Sequence, residues 1–211
     1  SNTRFGSYNL MILDDASKRP LADWLEDSWS KVCWLIRNET SAGTGLARNQ
    51  VIAGAEKHWG RGDYLYLSDN DVYFRPHWLE ALTEAYEKAH NLGFRVLGAY
   101  NHPYNHAHGV YPVYLKILQA EVNVGVNGAL AMQSWLLRWD TWDKYGKFVE
   151  TPVGRVRMSE DFEWCQRLHK DGYKVGSIYP PLIANTGRTD SFGEAIPGAE
   201  LIPDVEGIIV Q

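Results

Sequence analysis

Short apolar runs that stop at aspartates alternate with segments of helical period, and that alternation leaves few architectures open. The run YNLMIL at 8–13 ends at Asp14 and Asp15, and YLYL at 64–67 ends at Ser68, Asp69, Asn70 and Asp71. KVCWLI at 31–36 and RVLGAY at 95–100 read as two more buried strands. Between the first two, PLADWLEDSW sets Pro20 at a helix start with Leu21, Trp24, Leu25 and Trp29 on one face. After a GTG turn, LARNQVIAGAEKHW carries Leu46, Val51, Ile52 and Ala55 at helical spacing. PHWLEALTEAYEKA begins at Pro76, turns Leu79, Leu82 and Tyr86 inward, and is closed by Gly93. Strands alternating with helices predict an α/β sandwich with a central, mostly parallel mixed sheet flanked by helices, in one domain over 1–211.

In such sheets ligands gather beyond the carboxyl ends of the strands, so the aspartates at 14–15 and 69–71 point at one crevice. Paired carboxylates are hard oxygen donors suited to Mg²⁺ or Mn²⁺ carried in with a diphosphate. A polar turn closed by Asp and Asn side chains accounts for SDND equally well when it is taken alone. Two further segments weigh against the turn. GTGLARN at 43–49 sets Arg48 and Asn49 at a helix start, as an anchor for phosphate or for the acidic loops, although a glycine turn with a solvated arginine has the same spelling. SEDFEWCQRLHKDG at 159–172 puts Ser159 at an N-cap, Glu160 and Asp161 in the first turn, and Phe162, Cys165 and Leu168 on the core side, with Gly172 as the stop. Acidic residues also favour a helix N-terminus for the dipole alone.

A net charge of −5 gives no footing for a polyanion, so no nucleic-acid partner is expected. Two cysteines are too few for a disulfide framework, and no apolar run reaches membrane length, which predicts a cytoplasmic chain without a membrane segment.

The ordered series DDAS, GTGLARN, YLSDNDVYFRPHWL, NGALAM with YGKF, and SEDFEWCQRLHKDGYKV resembles nucleotide-sugar-dependent glycosyltransferases of the GT-A fold, a Rossmann-like sandwich. The likeness is greatest to the large family that includes cellulose- and chitin-synthase-type domains, and it runs from about residue 8 to about residue 190. It implies a DxD motif in which Asp71 is the principal metal ligand and Asp69, with Asn70 between them, touches ribose or metal. It implies that Asp15, or Asp14 if the register slips, contacts the base of a nucleotide sugar, a UDP-sugar in the first instance. Arg48 falls on the donor side, and Gly128 falls where the chain passes close to donor and acceptor. Asp161 matches the general base of inverting members, and Glu160 helps position a glycan or glycoprotein acceptor. Residues 1–120 would then form the nucleotide-sugar half and 121–211 the acceptor half. Trp135, Trp139 and Trp142 offer an acceptor groove, although core packing is the commoner use of tryptophan.

The chain departs from the family in two places. Only about seven residues precede Tyr8, where members carry a further strand and helix, so the chain reads as a trimmed domain or as part of a longer multidomain protein. The family's late histidine, a metal ligand in some members, is replaced by Asn185, and the HAH pair His106 and His108 reads more readily as a surface loop than as a substitute. In size rather than in motif the chain is also similar to glycosyltransferase domains of chlorella-virus capsid-glycan synthesis, which implies a hexose or deoxyhexose donor and leaves a retaining mechanism open. Two other classes share parts of the pattern. A sugar-1-phosphate nucleotidyltransferase would need a glycine-rich basic loop after its first strand, where DDASKRP stands, and a carbohydrate-binding module would not need SDND and SED.

Overall fold

The computed structural model describes residues 8–23, 25, 33–100, 107–130, 133–149 and 160–185. The chain opens with β1 (Leu10–Asp15) and β2 (Cys33–Asn38), paired in parallel from Leu10 against Cys33 to Asp15 against Asn38. Both strands are half-buried rather than buried, and in β1 only Asp14 is withdrawn from solvent. Of the helix expected over 20–29, a single 3₁₀ turn at Leu21–Asp23 is seen; most of the remainder lies outside the described residues.

The elements that follow are α1 (Thr44–Trp59), β3 (Tyr64–Ser68), β4 (Val72–Phe74), α2 (Trp78–His90), β5 (Phe94–Gly98), β6 (Ala107–Leu115) and β7 (Ala120–Asn127). Then come β8 (Ser134–Arg138), α3 (Trp139–Tyr145), α4 (Glu160–Lys170), β9 (Lys174–Tyr179) and β10 (Ile183–Asn185). Six strands form the central sheet in the order β3-β8-β5-β9-β7-β6, and β4 pairs separately with β10.

The expectation of a mostly parallel sheet holds for strand direction and fails for pairing. The pairings β3–β8, β8–β5, β9–β7 and β7–β6 are antiparallel, and β5–β9 alone within the sheet is parallel. Strands β3, β5, β9 and β6 therefore point the same way, while β8 and β7 run against them. The reason is insertion: the late strand β8 slots between β3 and β5, which a purely βαβ chain would have paired directly.

Two apolar layers cover the sheet, and the period-two alternation of its strands assigns residues between them. Leu97, Leu136 and Ile178 face α2, whose Leu79, Leu82, Ala85, Tyr86 and Ala89 are all buried. Val96, Trp135, Leu137 and Val175 face the other way, onto Ile52 of α1 and Trp164, Cys165 and Leu168 of α4. Phe162, expected on that inner face, is 39% exposed, and Trp164 takes the core position because the buried stripe of α4 runs 164, 165, 168. The three tryptophans weighed for an acceptor groove are core residues: Trp135, Trp139 and Trp142 are buried. Among the described residues no helix is long and apolar enough to cross a membrane.

Candidate active site

Strand β3 ends in a fixed place because β8 holds it there. The Tyr66 hydroxyl meets Ser134 Oγ at 2.8 Å, and Ser68 Oγ donates to the Gln133 carbonyl at 3.0 Å. The chain then turns through Asp69, Asn70 and Asp71 into β4. Asn70 is exposed and Asp69 is half-buried. Asp71 differs from both, since its Oδ1 is buried and has no hydrogen-bond partner. A buried anionic oxygen left without a donor is costly, and a cation is the usual remedy.

Arg48 connects this turn to α4. It sits in the second turn of α1 with its side chain 14% exposed; one nitrogen donates to Glu160 Oε1, and the other donates to Asp69 Oδ1 at 3.0 Å. Partial burial pushes the Asp69 carboxyl above the ordinary carboxylate range, and the charges of Asp71 and Asp161 add to that push against the pull of Arg48. The charges of Asp71 and Asp161 thus act on Asp69, and Arg48 links Asp69 to Glu160. Asp161 Oδ1 accepts from the backbone N–H of Phe162 at 2.7 Å. The proposed cap residue Ser159 lies outside the described residues.

The glycines of GTG have separate tasks. Gly43 starts α1 with a φ of 80°, in the left-handed region where a side chain is disfavoured. At Gly45 a Cβ would stand 2.2 Å from the Val149 carbonyl oxygen and 3.6 Å from Glu160 Cβ, so only glycine lets α1 press against this segment and the start of α4. Asn49, buried, accepts from the Phe148 N–H and donates to its carbonyl, both at 2.9 Å. Arg167 donates to the carbonyls of Tyr145 and Lys147, and Trp164 Nε1 to that of Gly146. Segment 146–149 was legible in the sequence only as the YGKF motif; its anchoring by Asn49, Trp164 and Arg167 carries no local signal.

The remaining predicted residues fall in different surroundings. Asp15 accepts from Asn38 Nδ2, Ser41 Oγ and the N–H groups of Ala42 and Gly43, so its carboxylate clasps the turn that leads into α1. Burial alone would raise its pKa, but these donors outweigh it and hold the carboxyl below the ordinary range. Asp14, buried, points elsewhere and accepts from the N–H groups of Ser17 and Leu21 and from Arg37. Its carboxyl is likewise depressed, burial being outweighed by those backbone donors and Arg37. The Gly128 carbonyl accepts from His169 Nε2 at 3.0 Å and from Gln166 Nε2 at 3.5 Å, both on α4. The side chains of His106, His108 and Asn185 lie outside the described residues.

Among the described residues no group of three His, Cys, Asp or Glu side chains is placed to hold a metal ion. Asp71 with Asp69 fits a divalent cation that draws its other ligands from a diphosphate and water, the usual mode for Mg²⁺.

Residues 2–133 match the Glycosyl transferase family 2 profile. An uncharacterized glycosyltransferase of Haemophilus influenzae is 33% identical over 88 residues, which is 42% of this chain and 28% of the relative. Staphylococcus aureus TarS is similar in structure, with a TM-score of 0.60 at 16% identity, over 89% of this chain and 33% of that one. The mannosyltransferase PcManGT of Pyrobaculum calidifontis, in complex with GDP-Man and Mn²⁺, gives 0.54 at 14% over 82% and 45%. GalNAc-T7, with UDP, GalNAc and Mn²⁺, gives 0.52 at 14% over 81% and 36%. The chain thus spans less than half the length of each of these proteins, and at such identities the solved structures speak for the fold, which is GT-A. With the family profile matched over residues 2–133, more than half of its length, the chain belongs to Glycosyl transferase family 2.

Proposed function

We propose that the protein moves a hexose or deoxyhexose from a UDP-linked donor to a glycan or glycoprotein acceptor in the cytoplasm, with Mn²⁺ or Mg²⁺ bound at Asp71 and Asp69. The observation that carries the reading is the buried, unpartnered Oδ1 of Asp71, in the same charged cluster as Asp161 at the start of α4. A divalent cation bound there with the diphosphate would offset the charge of the departing nucleotide.

The first half of the chain holds the donor, with Asp69, Asn70 and Asp71 on its ribose and diphosphate side. Asp15 shapes its base site by holding the turn at 41–43, since both of its oxygens already accept from the chain. The second half supplies Asp161, which accepts the proton of the acceptor hydroxyl as that oxygen bonds to the anomeric carbon and the nucleoside diphosphate leaves. Family membership favours this reading over a nucleotidyltransferase or a sugar-binding module. Neighbours of this fold have been seen with Mn²⁺ and with either UDP or GDP-Man, which supports a metal-bound nucleotide sugar and leaves the base to experiment.

Calorimetry of UDP and GDP, each with and without Mn²⁺, tests the proposal. UDP binding that requires Mn²⁺ and exceeds GDP binding is expected. Nucleotide binding indifferent to metal would refute it.

A further inference from the structure

Four carboxylates and one guanidinium meet at the end of β3, and two of the four accept hydrogen bonds from the guanidinium. Arg48 reaches from α1 to Glu160 on α4 with one nitrogen and to Asp69 on the DxD turn with the other, so one side chain joins three elements. The Arg48 and Glu160 side chains are 14% and 12% exposed. A guanidinium there keeps its charge, and its rigid fork suits two acceptors as a lysine ammonium does not. Gly45, three residues before Arg48 on the same helix face, brings α1 against Glu160 Cβ, so the backbone is built for this contact.

We propose that Arg48 is a positioning residue, held by Glu160 and in turn holding one oxygen of Asp69, so that the other oxygen of Asp69 and the carboxylate of Asp71 are set to meet the metal-diphosphate and Asp161 to meet the acceptor hydroxyl. The inference rests on the glycosyltransferase reading and alters one part of it. Glu160 acts on the donor side, through Arg48, and does not position the acceptor.

Arg48→Gln, Arg48→Lys, Glu160→Gln and the Arg48→Gln/Glu160→Gln double variant test this in two measurements. In calorimetry of UDP with Mn²⁺, Arg48→Gln and Glu160→Gln each weaken binding by about tenfold, and the double variant binds no more weakly than Arg48→Gln. Arg48→Lys falls between parent and Arg48→Gln, because an ammonium replaces the charge and not the fork. Parental affinity in Glu160→Gln, or losses that multiply in the double variant, would overturn the proposal.

Thermal unfolding of the apo protein needs no nucleotide. There the double variant loses less than the two single variants lose together, and strictly additive losses would also overturn the tie. If Arg48→Gln does not fold, Glu160→Gln and Arg48→Lys decide by UDP affinity. If the parent binds no UDP with Mn²⁺, the donor reading fails while the tie is judged by apo unfolding alone.

Discussion

Asp69 and Asp71 are separated by one residue and differ in what meets their oxygens. Asp69 is paired with Arg48, whereas Asp71 keeps a buried oxygen without a donor. Asp71→Asn therefore lowers Mn²⁺-dependent UDP affinity by about tenfold or more and leaves apo unfolding little changed, as calorimetry and thermal melts will show. Asp161 acts on the same cluster through its charge, and under the proposed function its loss is expected to affect chemistry rather than binding. Asp161→Asn is expected to cut turnover by about 10²–10⁴-fold with UDP affinity retained. Near-normal turnover would reduce the acidic pair to a helix cap, and NMR of the product's anomeric configuration separates a base from a retaining role. Asp14 and Asp15 make a third prediction, of stability. Both carboxyls titrate lower in the folded chain than in the unfolded one, so their stabilisation is complete above the ordinary carboxylate range and fades as pH falls through the depressed folded values. Asp14→Ala strands the Ser17 and Leu21 donors and costs about 2–3 kcal/mol at neutral pH, with a smaller difference from parent in acid. Denaturant melts at pH 7 and pH 3 check both parts.

At the scale of elements, α1 acts as the bracket of the site. The turn that leads into it is clasped by Asp15, its second turn carries Arg48 to two acids, and Asn49 grips Phe148 from the neighbouring position. The helix can do this because Gly45 removes a side chain that would strike the Val149 carbonyl. Gly45→Ala is expected to destabilise the fold and weaken UDP binding together, since the displaced helix takes Arg48 with it. Asn49→Ala removes both hydrogen bonds from a buried site and costs about 1–3 kcal/mol, measured by chemical denaturation. Helix α4 is placed differently, by burial of Trp164, Cys165 and Leu168 against the sheet. Burial also raises the Cys165 thiol to about 12, which keeps it a packing residue and not a nucleophile.

Across the whole molecule, the two apolar layers serve different ends of the function. The layer around α2 stabilises the sheet from the face away from α1 and α4, and the layer that includes Leu168 seats the helix that begins with Glu160 and Asp161. Leu82→Ala and Leu168→Ala should each cost about 2–5 kcal/mol in chemical denaturation. Only Leu168→Ala is expected to weaken Mn²⁺-dependent UDP binding as well, and equal effects on binding would contradict this division.

The strand ends at Asp15 and Ser68, the helices that begin near GTG and after Pro76, and the stops at Gly93 and Gly172 were legible because each is fixed by neighbours in sequence: apolar period, a terminating glycine, and acids that cannot stay within a buried strand. The motif series also named Asp69, Asp71, Glu160 and Asp161, and the ion pairs of Arg48 with Asp69 and Glu160 draw two of these segments together. Local pattern could not show that β8 inserts between β3 and β5, that Trp164 displaces Phe162 from the core, or that Asp15 is consumed by its own loop. Nor could it show that Arg48 grips Glu160 112 positions away. These are outcomes of long-range packing, in which a residue's partner is chosen by which elements become neighbours in space, and a sequence spells its neighbours along the chain far more directly than those across the sheet.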